Sequence, residues 1–289
     1  MLFFDLIDIL KDTSTTIAFM QARGYLPSTK KCTACRRDMN LQQSAQTQDK
    51  CIWRCCRCKR TTSIRKDTIY ENRNMTLQKM LVLVYLTNLE VNQTNISAAL
   101  DIEIAAISNF QVKLRDAYSQ FLLNQNARLG GIGCVVEIDE SLIAKTKPSR
   151  NARARPVTAK WVFGLFDRNQ GLGIIRFVEN RNAETLLPII QEVCLPGTTI
   201  YSDGWSAYNQ VARLGFQHEV VIHRNEFVVT GTDIHTNNVE NYWKRCKSKL
   251  KRMNGCIPSQ LSSYLDEFLW NERYGKSLHE RFANTLSIV

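Results

Sequence analysis

The sequence predicts an α/β protein built on a mixed sheet, with a small cysteine-rich ribbon and a helical segment ahead of it. Three observations lead there. Two CxxC pairs, Cys32/Cys35 and Cys55/Cys58, are separated by 19 residues in a region with little helical periodicity. Residues 75–130 carry apolar positions at helical spacing and end at Gly130-Gly131. From Cys134 onward, strand-like and helix-like segments alternate in the order βββαβαβα. The expected boundaries are 1–74, 75–130 and 131–289.

The 289 residues are 44% hydrophobic, enough to bury a core, and carry a net charge of +11. Such an excess suits an anionic partner, nucleic acid first. No apolar run reaches the roughly 20 residues needed to cross a bilayer. The start, MLFFDLIDIL, holds Asp5 and Asp8 and no basic segment, so it reads as a short amphipathic helix rather than a signal peptide. An intracellular protein is expected, with cysteines serving as metal ligands or free thiols rather than disulfides.

Six of the ten cysteines fall within residues 1–74. Of these, Cys32, Cys35, Cys55 and Cys58 have the spacing of two knuckles that grip a tetrahedral metal from both sides. Zinc suits four thiolates and would supply the core that this apolar-poor region lacks. Such a site leaves no position for water, so the metal is expected to be structural. Cys51 and Cys56 are left over. Arg54, Arg57, Lys59 and Arg60 flank the second knuckle and suit contact with DNA phosphates; a ribbon that only binds protein is the alternative.

The segment from Met75 to Asn88 has a buried-helix pattern in Leu77, Met80, Leu81, Leu83, Val84 and Leu86. Two further helices follow around a break at Asp101-Ile102, lined by Ile96, Ala99 and Leu100 and then by Ile104, Ile107, Phe110 and Leu114. Thr94 or Asn95 is the expected cap of the first, with Asp101 or Glu103 starting the second. The pair resembles a helix-turn-helix, with Ser108, Asn109, Gln111, Lys113 and Arg115 as candidate contacts. Plain core packing is the competing reading.

In the last region CVVEIDESLIAK is the first strand, and residues 145–160 carry six basic residues and no acid. WVFGLFDR and LGIIRFVE flank a turn at Asn169-Gln170-Gly171 and complete an antiparallel meander. A helix at 182–194, a strand TTIYSD, a short helix WSAYNQVARLG, a strand HEVVIH and two helices near 237–252 and 258–273 close the order. That order is ribonuclease H-like. It puts Asp139 on the first strand and Asp203 at the end of the fourth, side by side if the two strands pair in parallel. Glu240 lies on the helix after the fifth.

Three carboxylates so placed can hold two divalent ions, magnesium or manganese, roughly 3.5–4 Å apart for phosphodiester chemistry. Taken singly, each is an ordinary strand-end, turn or helix-surface acid, and Glu137 and Glu140 compete with Asp139. Lys145, Lys147, Lys244, Arg245 and Lys247 are candidate DNA contacts beside them. Trp205 and Tyr208 read as core packing, and Trp243 as packing of its helix onto the sheet.

VVEIDES, YSDGWSAY and HTNNVENYWKRCK together resemble the DDE transposases of the Merlin superfamily and related bacterial insertion-sequence transposases. CTAC and WRCCRCKRTTSIRKDTIYEN resemble that family's zinc ribbon and the segment after it, so the likeness runs over roughly residues 25–275. The resemblance implies a triad of Asp139, Asp203 and Glu240 that cleaves DNA ends and transfers strands with divalent metal. His235 falls on the family's histidine, where it would orient a phosphate or a water; a capping or packing role competes. Some relatives use an asparagine as third ligand, which leaves Asn237 and Asn238 as alternatives to Glu240. Double-stranded DNA is the expected partner, and joining two ends calls for a homodimer or larger synaptic complex. The nucleus is the expected location in a eukaryote and the cytoplasm otherwise. A transposase-derived DNA-binding protein without catalysis is the runner-up.

Overall fold

The computed structural model describes residues 3–71, 75–145, 159–221, 234–253 and 258–288. Lys147 and nearly all of the basic segment 145–160 lie outside these, as does the end of the fifth strand at 222–223. In chain order the helices and strands are α1 (Phe3–Leu10), α2 (Thr13–Ala22), β1 (Lys30–Lys31), β2 (Asp38–Gln43), β3 (Cys51–Cys55) and β4 (Thr61–Thr62). Then come α3 (Leu77–Asn88), α4 (Gln93–Leu100), α5 (Ile104–Asn124), β5 (Leu129–Gly130), β6 (Val135–Lys145), β7 (Ala159–Asp167) and β8 (Leu172–Val178). The remainder are α6 (Ala183–Val193), β9 (Cys194–Leu195), β10 (Thr199–Asp203), β11 (Gln217–Val221), α7 (Asn237–Arg252), α8 (Leu261–Tyr274) and α9 (Leu278–Ile288). They form two compact units, Met1–Phe121 with Tyr274–Val289, and Leu122–Arg273. No helix among the described residues is long and apolar enough to cross a membrane.

In the first unit β1 to β4 form an antiparallel ribbon in sequential order. Asp49, between β2 and β3, and Arg65, after β4, are both buried and pair with each other. In α3, Leu77, Met80, Leu81, Leu83 and Val84 are buried, as its pattern predicts. The joint between α4 and α5 departs from expectation in its details. Asn92 caps α4, accepting from Asn95 N–H at 2.8 Å, ahead of Thr94 and Asn95. Asp101 takes a left-handed conformation at the end of α4, and Glu103, the other candidate, opens α5, its carbonyl accepting from the N–H groups of Ala106 and Ile107. Ala99 and Ile104 are exposed, while Ile96, Ile107, Phe110 and Leu114 are buried. The last helix, α9, has no counterpart in the sequence pattern. It belongs to this unit: its Phe282 packs on Tyr85, and its Thr285 hydroxyl lies 3.0 Å from the Tyr118 hydroxyl.

The second unit is built on a five-stranded sheet of order β11-β10-β6-β7-β8. The strands β6, β7 and β8 form the antiparallel meander, while β10 runs parallel to both β6 and β11. With the first, second and third strands on one side and the fourth and fifth on the other, this is the ribonuclease H-like arrangement. Alternation along each strand sorts the side chains into two cores. Val136, Ile138, Phe163, Leu165, Ile174 and Ile200 pack under α6. Val162, Phe166 and Ile175 pack under α7 and α8, against Val239, Tyr242, Trp243, Cys246 and Phe268. The turn after β7 forms because Asp167 Oδ1 accepts the N–H groups of Asn169 and Gln170 and Gly171 supplies φ 65°. WSAYNQVARLG forms two short 3-10 turns, Ser206–Tyr208 and Val211–Leu214, rather than one helix.

Candidate active site

The parallel register of β10 on β6 sets Thr199 beside Val135, Ile200 beside Val136 and Tyr201 beside Glu137. Two residues further along each strand stand Asp203 and Asp139, on the same face of the sheet. Burial, then the charges of Glu140 and Asp203, push the Asp139 carboxyl up to about 7. Carboxylates crowded in a partly desolvated rim could take up a hard cation.

Helix α7 crosses this face, and two contacts fix it there. Trp243 donates its indole N–H to Asp139 Oδ2 at 3.1 Å. Glu137, fully buried, accepts from Asn238 Nδ2 at 2.7 Å and from the N–H of Val239 at 2.8 Å, so a strand carboxylate caps the helix N-terminus. Arg168 neutralises Glu137. The Arg168 guanidinium also reaches His235 and lies 4.8 Å from the Tyr201 ring.

These contacts sort the competing residues. Glu137 shares the face of Asp139 but is spent on Arg168 and the helix. Glu140 points to the other face, where burial raises its pKa and where it and Tyr208 interact. Asn238 is engaged with Glu137. Glu240 and Trp243, one turn apart, lie on the same side of α7, and Trp243 is the one that reaches Asp139. His235 turns its Nδ1 into the Arg168 cluster and accepts from Asn237 N–H at 3.3 Å. The carboxylates do not form a closed cluster: among the described residues, only the four ribbon cysteines form a group of three or more donors within 4.8 Å of one another. Arg168 was missed in the sequence; its only signal is an arginine closing the apolar strand WVFGLFDR.

The two residues after Asp203 read as core differ. Tyr208 is buried, whereas Trp205 is 42% exposed. The basic residues also divide. Lys244 and Lys247 are exposed, Arg245 is exposed but paired with Glu272 at 2.7 Å, and Lys249 is buried against Glu267 at 3.0 Å. Lys145 ends β6. In the first unit Arg54, Arg57, Lys59 and Arg60 are all exposed. On α5, Asn109 and Lys113 are exposed, but Gln111 is tied to Gln93 and Thr87, and Arg115 is buried, so those two are not surface contacts.

In the ribbon, sulfur separations are 3.5 Å for Cys32–Cys58, 3.4 Å for Cys35–Cys55 and 3.8 Å for Cys35–Cys58. A tetrahedron with bonds of about 2.3 Å has edges of about 3.8 Å, so the four can hold one metal ion. Both knuckles turn alike: Arg36 and Lys59, each just after the second cysteine, take φ 56° and 61°. Backbone N–H groups aim at the sulfurs, that of Cys58 first among the causes drawing the Cys55 thiol down to about 6. Cys56 turns its Sγ to the Asp38 carbonyl at 3.3 Å, and neither it nor Cys51 lies with the four sulfurs that stand within 4.8 Å of one another.

Residues 128–273 match the model of the ISXO2-like transposase domain. An uncharacterized transposase-like protein of Haemophilus influenzae is 31% identical over 93 residues, which are 32% of this chain and 74% of that protein. Among solved structures, the catalytic core domain of BIV integrase is 14% identical, with 47% of this chain and 81% of that one covered, at a TM-score of 0.31. The HTLV-2 integrase catalytic core domain in complex with magnesium is 15% identical, with coverages of 53% and 97% and a TM-score of 0.33.

Proposed function

The chain belongs to the ISXO2-like transposase family, and on that premise we propose that it is a metal-dependent DNA transposase that cuts the ends of its element and joins them to target DNA. The observation that carries this reading is the parallel register bringing Asp203 alongside Asp139 beneath the helix of Glu240. Asp139, Asp203 and Glu240 would hold magnesium or manganese. When bound, such ions activate the attacking oxygen and stabilise the leaving one.

The rest falls to the protein's own side chains. Trp243 holds the Asp139 carboxylate in one orientation. Glu137 and Arg168 fix the end of α7 that presents Glu240. His235 acts through that cluster as a positioning residue. Lys244 and Lys247 attract the phosphate backbone beside the carboxylates, and Arg54, Arg57, Lys59 and Arg60 do so on the ribbon. Zinc in the ribbon would be structural, held by Cys32, Cys35, Cys55 and Cys58. Two DNA ends must meet, so a dimer or larger assembly is the working form.

The test is cleavage and joining of DNA carrying the element's ends, with magnesium or manganese, by the native chain and by Asp203→Ala. Metal-dependent cutting by the native chain alone is expected. Equal inactivity with specific binding retained would leave a DNA-binding protein without catalysis.

A further inference from the structure

Trp205 stands two residues beyond Asp203 and is held twice. Its backbone N–H donates to Asp203 Oδ1 at 3.0 Å, and its indole N–H donates to the Arg181 carbonyl at 3.0 Å. Behind it the Arg181 guanidinium lies 5.3 Å from the Trp205 ring and 3.9 Å from the Trp161 ring. The result is an indole–guanidinium–indole stack at the rim of the sheet. Trp53, Trp243 and Trp270 are each at most 4% exposed, yet Trp205 is 42% exposed. An indole used for core packing would be covered. This one is pinned in place with much of its surface open to solvent, so a flat ligand can settle on it with little loss of side-chain freedom.

We propose that Trp205, backed by Arg181 and Trp161, is a stacking site for one nucleobase freed from pairing at the DNA end being processed. This rests on the transposase reading. A chain segment of two residues spans at most about 7 Å, so a nucleotide whose phosphate sits at Asp203 has its base within reach of the plate. Inside a duplex both faces of each base are covered by neighbours, whereas an unpaired base at the end is free to lay a face on the indole. The arginine beneath the ring adds positive charge that complements the flanking phosphates. Any base has such a face, so the site selects for an unpaired end rather than for sequence.

The experiment uses the full chain and two DNA probes: a blunt duplex, and the same duplex with a short unpaired end carrying 2-aminopurine. Binding is read by anisotropy and stacking by quenching of the 2-aminopurine. The native chain is expected to bind the unpaired end roughly tenfold more tightly than the blunt duplex and to quench the probe. Trp205→Ala and Trp205→Leu keep the blunt-duplex affinity and lose the preference and the quenching; Trp205→Phe keeps most of both. An absent preference in the native chain, or one that both Ala and Leu variants retain, overturns the stacking site while leaving the transposase reading intact. A native chain with no duplex affinity at all overturns both.

Discussion

The indole N–H of Trp243 meets Asp139 Oδ2 at 3.1 Å, joining α7 to β6 at a proposed metal ligand. The approach depends on Gly164, the cross-strand partner of Asp139. A Cβ there would stand 2.2 Å from Trp243 Cζ2. A glycine in the middle of an apolar strand thus marks where the ring lies on the backbone.

Trp243→Phe is therefore expected to keep the fold and to lower DNA cleavage roughly tenfold, the worth of one hydrogen bond to a charged acceptor. Gly164→Ala displaces the ring and should cost about 1–3 kcal/mol of stability as well as activity. Chemical denaturation alongside cleavage assays separates the two. Unchanged cleavage in Trp243→Phe would remove the orienting role from the indole.

Glu137 and Arg168 hold the N-terminus of α7 to the sheet. Removing one member of a buried pair strands the other, so Arg168→Met or Glu137→Gln should cost roughly 3–5 kcal/mol. The double substitution should cost clearly less than the sum, because neither partner is then left alone. Denaturation of the four proteins gives the coupling. Strict additivity would mean that the pair is not what anchors the helix.

Asp139, Glu140 and Asp203 crowd charge into a partly buried rim. Asp139→Asn should raise the metal-free stability of the second unit by roughly 1 kcal/mol, while the gain in melting temperature on adding manganese is lost. The sign with pH follows from a folded value of about 7 against the ordinary 3.8. The folded state holds the proton more tightly, so the penalty is full above pH 7 and fades as pH falls toward 4. The advantage of asparagine should shrink over that range. Thermal melts across pH, with and without manganese, measure both, and an equal manganese response in the variant would exclude Asp139 as a ligand.

Strand order, the meander turn and the place of Asp139 and Asp203 were legible because they follow from local alternation and turn chemistry. The choice among nearby acids was not. Glu137 and Asp139 share a face and differ only in what lies across the sheet from them, Glu140 points to the opposite face, and Arg168 is distant in sequence from both Glu137 and His235. Trp205 misread as core for the same reason: an indole after a turn has no sequence pattern that reports its cover. The helix α9 was missed because its partners, Tyr85, Asn88 and Tyr118, come from far earlier in the chain. On the α7 stripe, Lys249 looks like its neighbours until Glu267 is in place.

The ribbon has little apolar material of its own, so the metal proposed for its four cysteines should govern its folding. Chelation, or Cys55→Ser, is expected to unfold β1 to β4 and release one equivalent of zinc, read by a zinc-sensitive dye and by loss of ribbon amide signals. Cys51→Ser and Cys56→Ser should retain the metal. Zinc loss in either of these would mean that a leftover cysteine belongs to the set.

Glu240, Asn237 and Asn238 compete for the place of the proposed third metal ligand. Asn238 on one flank of α7 bonds Glu137, while Glu240 lies on the flank of Trp243, the residue that reaches Asp139. The two should fail differently. Asn238→Ala takes a hydrogen bond from a buried carboxylate and should cost about 1–3 kcal/mol of stability, with cleavage largely preserved once folding is corrected for. Glu240→Gln leaves the cap intact and should keep stability within about 0.5 kcal/mol, yet abolish metal-dependent cleavage. Asn237→Ala should do neither. Manganese titration followed by melting temperature makes the assignment directly: the midpoint should shift for Glu240→Gln and stay in place for both asparagine variants. A shifted midpoint in Asn238→Ala with none in Glu240→Gln would transfer the ligand role to the asparagine.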